Sequence, residues 1–285
     1  MQKTKIEYLD YSWNPIAMRC EPVSEGCRNC WHIKRADMLK INPILSPDQR
    51  EAYAGGKPVI LEKELTAPLR RKKPSTIGVQ FMGDLFHPSV PFERIDRVMA
   101  VVSNCSGIWP KYNYPTHIFQ ILTKRIERAF DYFNRNEIDQ CAIDTYYNNL
   151  WLGVTCENQK CADQRIPTLL QIPAAVRFLS LEPLLEDIDI DEAIDGRWFW
   201  DGKYLAHIDK DIPDGKSVKV NQVIIGCESG PGRRPCKLEW VRNIVAQCRA
   251  AGVAVFVKQL SINGKVEHDI EKFPIDLRIR EYPEK

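Results

Sequence analysis

Three cysteines near the start of the chain carry the strongest chemical signal. Cys20, Cys27 and Cys30 follow Trp13-Asn14-Pro15 and are spaced C-x6-C-x2-C, with Ser24-Glu25-Gly26 before the second and Trp31 after the third. Cys27 and Cys30 open a stretch, Cys27–Lys40, that reads as a helix. Two thiolates at a helix start can face one metal, and the helix dipole favours their ionised form. Cys20 reaches over on a loop kinked at Pro22 and turned at Gly26. Three thiolates are the number that holds a [4Fe–4S] cluster with one iron left open to a ligand. Other chemistries suit the same residues. A structural zinc would take a fourth ligand, from His32 or another cysteine. A redox pair would use only Cys27 and Cys30, and scattered core thiols would bind nothing. Of the other cysteines, Cys105, Cys141, Cys161 and Cys248 read as small core residues, whereas Cys156 and Cys227 fall near strand ends.

A second set of residues recurs at the ends of apolar runs. Thr76–Met82 leads into Gly83-Asp84-Leu85-Phe86-His87, and His117–Leu122 into Thr123-Lys124-Arg125. Leu150–Thr155 runs into Cys156-Glu157-Asn158, Val176–Leu181 into Glu182-Pro183, Gln222–Gly226 into Cys227-Glu228-Ser229-Gly230, and Ala254–Lys258 into Gln259. Wet loops alone would make strand ends polar, but six such endings point to one shared mouth, because sites in parallel sheets gather at the C-terminal ends of strands. Asp84, His87 and Lys124 are the candidates for catalysis. A carboxylate and an imidazole three residues apart could move a proton, and Lys124 or Arg125 could meet a carboxylate or phosphate. Glu157, Glu182, Glu228, Ser229 and Lys258 are the candidates for holding a small-molecule cofactor. The turn Gly230–Pro235, with Arg233 and Arg234, could hold an anion but has no nucleotide-binding fingerprint. Arg70-Arg71-Lys72-Lys73 reads as a solvated loop or a phosphate contact.

The elements that must position these groups alternate. Short β-branched or aromatic runs, with Ile6–Trp13 and Val59–Glu62 besides those above, are followed by stretches of helical period. Phe92, Ile95, Val98, Met99 and Val102 form one apolar face; Leu238, Val241, Ile244, Val245 and Cys248 form another, ending at Ala251-Gly252. This predicts an α/β protein: a single (β/α) barrel-like domain, a closed or partial TIM-type barrel of parallel strands. Residues 191–214 read as an excursion with an aromatic cluster at Trp198, Phe199 and Trp200, and the tail after Leu260 reads as peripheral.

The 285 residues are 44% hydrophobic, 27% charged and 9% aromatic, which is globular rather than disordered composition. Forty Lys and Arg against thirty-eight Asp and Glu give +2. Nucleic acid is therefore an open partner that net charge does not indicate. No apolar run is long enough for a membrane span. The opening MQKTKIEYLDYSWNP has no export signature, so a cytoplasmic protein with reduced thiols is expected.

The run from WNP to CRNCW, with FMGDLFH, ILTKR, WLGVTCENQ, RIPTLLQIPAAVRFLSLEPLL, VIIGCESGPGRRP and CRAAGVAVFVKQ, resembles the three-Cys-motif family of phage-associated proteins. The likeness covers about Ile6 to Leu260. That family is similar to radical SAM enzymes, whose three-cysteine loop follows the first strand of a βα barrel. The resemblance implies Cys20, Cys27 and Cys30 as ligands of a [4Fe–4S] cluster, S-adenosylmethionine as cofactor, strand-end carboxylates that hold it, and an electron donor. The six-residue first spacing is wider than the usual C-x3-C-x2-C, and Cys227 stands where the family has a second Gly. The alternative expectation is a non-catalytic, phage- or defence-related binding protein stapled by zinc at the same cysteines.

Overall fold

Apolar runs bounded by turn residues become short strands, and the amphipathic stretches between them become the helices that return the chain to the same sheet end. In the computed structural model, residues 1–108, 114–135, 147–200, 205–207 and 217–284 are described. The chain divides into two compact units, Met1–Leu152 and Gly153–Lys285, and each has a mixed α/β build with a mostly parallel sheet.

In the first unit, β1 (Gln2–Lys3) lies antiparallel to β2 (Tyr11–Trp13). A separate ribbon pairs β3 (Ile16–Ala17) with β4 (Val59–Ile60). The main sheet continues in parallel through β5 (Thr76–Val79) and β6 (Ile118–Thr123), and β7 (Leu150–Thr155) follows them in the strand order. Register aligns Trp13 with Val79 and Ile121, and Tyr11 with Ile77 and Phe119. One face is thereby a row of large apolar side chains, and Trp13, Ile77, Val79, Phe119 and Ile121 are all buried. The opposite face carries Ser12, Gly78 and Gln120 in one row. Helix Phe92–Asn104 turns the expected stripe inward, burying Ile95, Val98, Met99 and Val102.

Two expected strands are shorter than their apolar runs. Within Ile6–Trp13 only Tyr11–Trp13 is extended, because the chain turns at Ile6–Leu9 and Leu9 lies against Gly78, where its Cδ1 sits 2.5 Å from the place a Cβ would take. Val59–Glu62 is cut to two residues and pairs antiparallel in the side ribbon, since Glu62 already begins helix Glu62–Leu65.

In the second unit, β7 borders β8 (Val176–Leu181) in the strand order, and the excursion adds β9 (Trp198–Trp200), β10 (Leu205–His207) and β11 (Ser217–Val218) as a small antiparallel sheet. Other parts of the excursion, 201–204 and 208–216, lie outside the described residues, as does Cys141. β12 (Gln222–Gly226) is parallel to β8 and to β13 (Ala254–Ile262), and β14 (Lys265–Glu267) returns antiparallel along β13. Helix Leu238–Ala251 buries Val241, Ile244, Val245 and Cys248 and stops at Gly252, whose φ of 65° is the left-handed cap only glycine adopts without strain. The tail, expected at the periphery, contributes to the core. Phe273, Leu277 and Ile279 are buried, and residues 279–281 run along β13, with the Val257 amide donating to the Ile279 carbonyl at 2.9 Å. No helix among the described residues is long and apolar enough to cross a membrane.

Candidate functional site

Entry into the cysteine loop is fixed by Gln80. Its backbone takes a left-handed φ of 54°, which turns the chain sharply after β5. Its side-chain amide then serves Ile16 as a neighbouring strand would. Gln80 Oε1 accepts from the Ile16 amide at 3.1 Å, and Nε2 donates to the Ile16 carbonyl at 2.9 Å and to the Met82 carbonyl at 3.0 Å. Asn14 Oδ1 accepts from the Met82 amide at 2.8 Å. The strand ends of β2 and β5 are therefore tied together where the loop begins.

The loop itself is a tight turn. Glu25–Cys27 forms one 3-10 turn, the Cys30 amide donates to the Cys27 carbonyl at 3.1 Å, and the α-helix begins only at Trp31 with Cys30 as its N-cap. The expected helix start at Cys27 is thus displaced by four residues. Cys27 is buried, while Cys20 and Cys30 are partly exposed. Burial pushes the Cys20 thiol up to about 11, against the opposing pull of the Arg125 guanidinium. Arg125 Nη1 lies 3.4 Å from Cys20 Sγ and 3.2 Å from Asp84 Oδ2, and Nη2 donates to the Glu21 carbonyl at 2.8 Å. Asp84 in turn accepts from Thr123 Oγ1 at 2.8 Å and from the Lys124 amide at 3.1 Å. Asp84, Arg125 and Cys20 thus join the ends of β5 and β6 to the cysteine loop. Among the described residues, no three His, Cys, Asp or Glu side chains gather closely enough to hold a metal ion.

Two histidines flank this network. The Cys20 amide donates to His32 Nε2 at 3.2 Å, so the ring hydrogen sits on Nδ1. The Ser89 amide donates to His87 Nδ1 at 3.2 Å, which places that hydrogen on Nε2. Both hydrogen-bearing nitrogens are buried and have no hydrogen-bond partner. Burial depresses both imidazoles, His32 to about 4, so both rings are neutral near pH 7. The His87 amide donates to the Asp84 carbonyl at 3.0 Å, and the Asp84 charge opposes the depression of the His87 imidazole. The Asp84 carboxylate itself is paired with Arg125. Lys124 is half-buried, and its ammonium has neither hydrogen bond nor ion pair among the described residues.

The strand-end carboxylates of the second unit each have a cation. Glu157, at 0% exposure, accepts from Arg165 Nη1 at 2.9 Å, and the same nitrogen donates to the Thr155 carbonyl at 2.5 Å. Lys258 Nζ donates to Glu182 Oε1 at 2.5 Å. Gly226 leaves room for this pair, since a Cβ there would stand 3.1 Å from Glu182 Cγ. Glu228 accepts from the Arg234 amide at 2.8 Å, from Nε at 3.0 Å and from Nη2 at 2.5 Å. Ser229 is exposed beside it. Glu182 and Lys258 remain partly open to solvent, whereas Glu157 is sealed inside the fold. Cys227 is buried, and burial raises its thiol to about 11. Arg70 and Arg71 of the basic run are occupied locally, Arg70 by Thr66 and Lys63 and Arg71 by Ser75 and the Tyr11 ring.

Residue type and spacing do not mark Gln80 or Arg165 as site residues. Gln80 had a signal, as a polar residue inside an apolar run; Arg165 had only its place eight residues beyond Glu157 on a helix.

A mostly parallel sheet with helices between its strands defines an α/β protein, and paired charges and a thiol loop held by a guanidinium lie at its strand ends. The chain belongs to the family described as protein of unknown function (DUF5131), whose model matches residues 3–273. No curated protein and no solved structure matches the chain.

Proposed function

We propose that this protein is an iron–sulfur enzyme of the radical SAM type, related to the three-Cys-motif phage proteins. On this reading Cys20, Cys27 and Cys30 ligate a [4Fe–4S] cluster, and the parallel strands wind in the barrel manner. The supporting observation is the pair of buried, unpartnered imidazole N–H groups on His32 and His87 beside a loop that supplies three thiols. A buried donor left without an acceptor costs about 1–3 kcal/mol. An anionic cluster with thiolate ligands offers such donors sulfur acceptors, and hydrogen bonds to cluster sulfur are one way a protein sets its potential. Arg125 adds a positive charge at Cys20. The reading requires the Cys20–Cys30 loop to close further as metal binds, in keeping with the coupling of metal binding to local folding. When bound, the cluster supplies the electron for reductive cleavage of a carbon–sulfur bond of S-adenosylmethionine. Lys124 is the residue suited to a ligand carboxylate or phosphate, and Glu182 with Lys258 is the partly open pair suited to a zwitterionic group. A zinc staple with His32 as fourth ligand would need that ring to release the Cys20 amide or change its hydrogen.

Anaerobic purification with metal analysis tests the reading. A brown protein absorbing near ~400 nm is expected. Each of Cys20→Ser, Cys27→Ser and Cys30→Ser should lose iron, while Cys105→Ala keeps it. Calorimetry should show S-adenosylmethionine binding, and reduction should yield 5′-deoxyadenosine. A colourless protein with stoichiometric zinc, or full iron in all three serine variants, overturns it.

A further inference from the structure

The wide first spacing of the cysteine motif sets Cys20 apart from the other two thiols. Cys27 and Cys30 share one tight turn, whereas six residues separate Cys20 from Cys27. Cys20 is placed instead by residues distant in sequence. His32 Nε2 accepts from its amide at 3.2 Å, and Arg125 Nη1 lies 3.4 Å from its Sγ. Arg125 Nη2 donates to the Glu21 carbonyl at 2.8 Å, so one guanidinium grips both the Cys20 side chain and the backbone of the next residue.

The grip has a rigid base. Asp84 Oδ1 accepts from Thr123 Oγ1 at 2.8 Å and from the Phe86 amide at 3.0 Å. Its Oδ2 accepts from the Lys124 amide at 3.1 Å and from Arg125 Nη1 at 3.2 Å. Thr123 Oγ1 also accepts from the Arg125 amide at 2.9 Å. The carboxylate is thus held by backbone from the ends of both β5 and β6, and the arginine built on it is only 10% exposed. A structural ion pair would need the guanidinium to face its carboxylate alone. Here the same group also turns toward the cysteine loop.

We propose that Arg125 is the positioning residue of the thiol site. It fixes Cys20 at the ends of β5 and β6, in place of the restraint a shorter loop would give, and it raises the reduction potential of the cluster bound there. The second half rests on the cluster reading above. Reduction adds an electron to an anionic group, so an N–H···S bond from a cation to a ligand sulfur favours the reduced form. Arginine suits both tasks. Its planar fork reaches Asp84, Cys20 and the Glu21 carbonyl at once, whereas the single ammonium of lysine supplies the charge without the fork.

Hydrogen exchange on the metal-free protein tests the positioning. In Arg125→Gln and Arg125→Lys the amides of residues 20–30 should exchange at least about tenfold faster, the loss of a charged hydrogen bond, while those of β5 and β6 keep their wild-type protection. Arg125→Gln strands the buried Asp84 charge, so the neutral Asp84→Asn/Arg125→Gln variant is the check on folding and should show the same fast loop. Redox titration of the reconstituted cluster, followed by electron paramagnetic resonance, tests the tuning. The potential should become more negative in Arg125→Gln and return most of the way in Arg125→Lys. Unchanged loop exchange in all three variants overturns the proposal. So does exchange that rises equally in the loop and in both strands, the mark of a structural ion pair alone. An unchanged potential in Arg125→Gln overturns the tuning and leaves the cluster reading intact. A wild-type protein that takes up no iron rejects that reading and the tuning with it, and the metal-free exchange still decides the positioning.

Discussion

Glu157 sits just beyond the end of strand Leu150–Thr155, and its charge is met inside the protein. It is fully enclosed, and Arg165 from the following helix matches its charge and bonds the Thr155 carbonyl. Removing one member of such a pair leaves an uncompensated charge in a medium that solvates it poorly. Arg165→Met should therefore lower stability by about 3–5 kcal/mol, read as a fall in the urea midpoint. Glu157→Gln combined with Arg165→Met should recover most of that loss, since no isolated charge then remains. Equal losses in the single and double variants would show that the arginine acts by packing alone. The contrast with Glu182 is one of exposure, because Glu182 and Lys258 keep solvent access.

At the scale of elements, strand length and strand contact were legible to different degrees. Leu150–Thr155, Val176–Leu181 and Gln222–Gly226 follow their apolar runs to the residue, because each is continuous and closed by a polar or turn residue. The helices Phe92–Asn104 and Leu238–Ala251 follow from spacing and, in the second, from the glycine stop. The limits of the first strand did not, because Leu9 gives up extended pairing to lie against Gly78, a contact between residues far apart in sequence. The tail after Leu260 has few apolar residues, so its packing was equally hidden. Glycine also governs the junction of β7 and β8. A Cβ at Gly153 would stand 2.4 Å from Phe178 Cε2, and the Phe178 ring is itself fully buried. Gly153→Ala should cost about 1–3 kcal/mol through overpacking. Thermal denaturation checks this, and pairing it with Phe178→Leu should restore part of the loss.

For the molecule as a whole, net charge concealed what the fold arranges. A balance of +2 is silent about where charge is enclosed and where it is exposed, because burial and pairing decide that: Glu157 and Arg165 are both buried, whereas Arg28, Lys34 and Arg35 all lie on the surface. Residue type and spacing alone pick out the three cysteines, Asp84 and the strand-end glutamates as candidates. Its wiring was not, since Arg125 reaches Cys20 across more than a hundred residues of chain and Gln80 reaches Ile16 across sixty-four.

The stretch of residues 279–281 along β13 bears on self-association. Val255 and Val257 direct their amides to that stretch, Glu281 returns a bond from its own amide to Val255 at 2.8 Å, and Arg280 and Tyr282 cover the Phe256 ring. A chain ending at Pro274 would bare this apolar strand edge, which is a template for pairing with another molecule. Such a truncated protein should elute as concentration-dependent dimers and larger species in size-exclusion chromatography under conditions where the full chain does not. Residues 275–285 would then act as a built-in guard against aggregation.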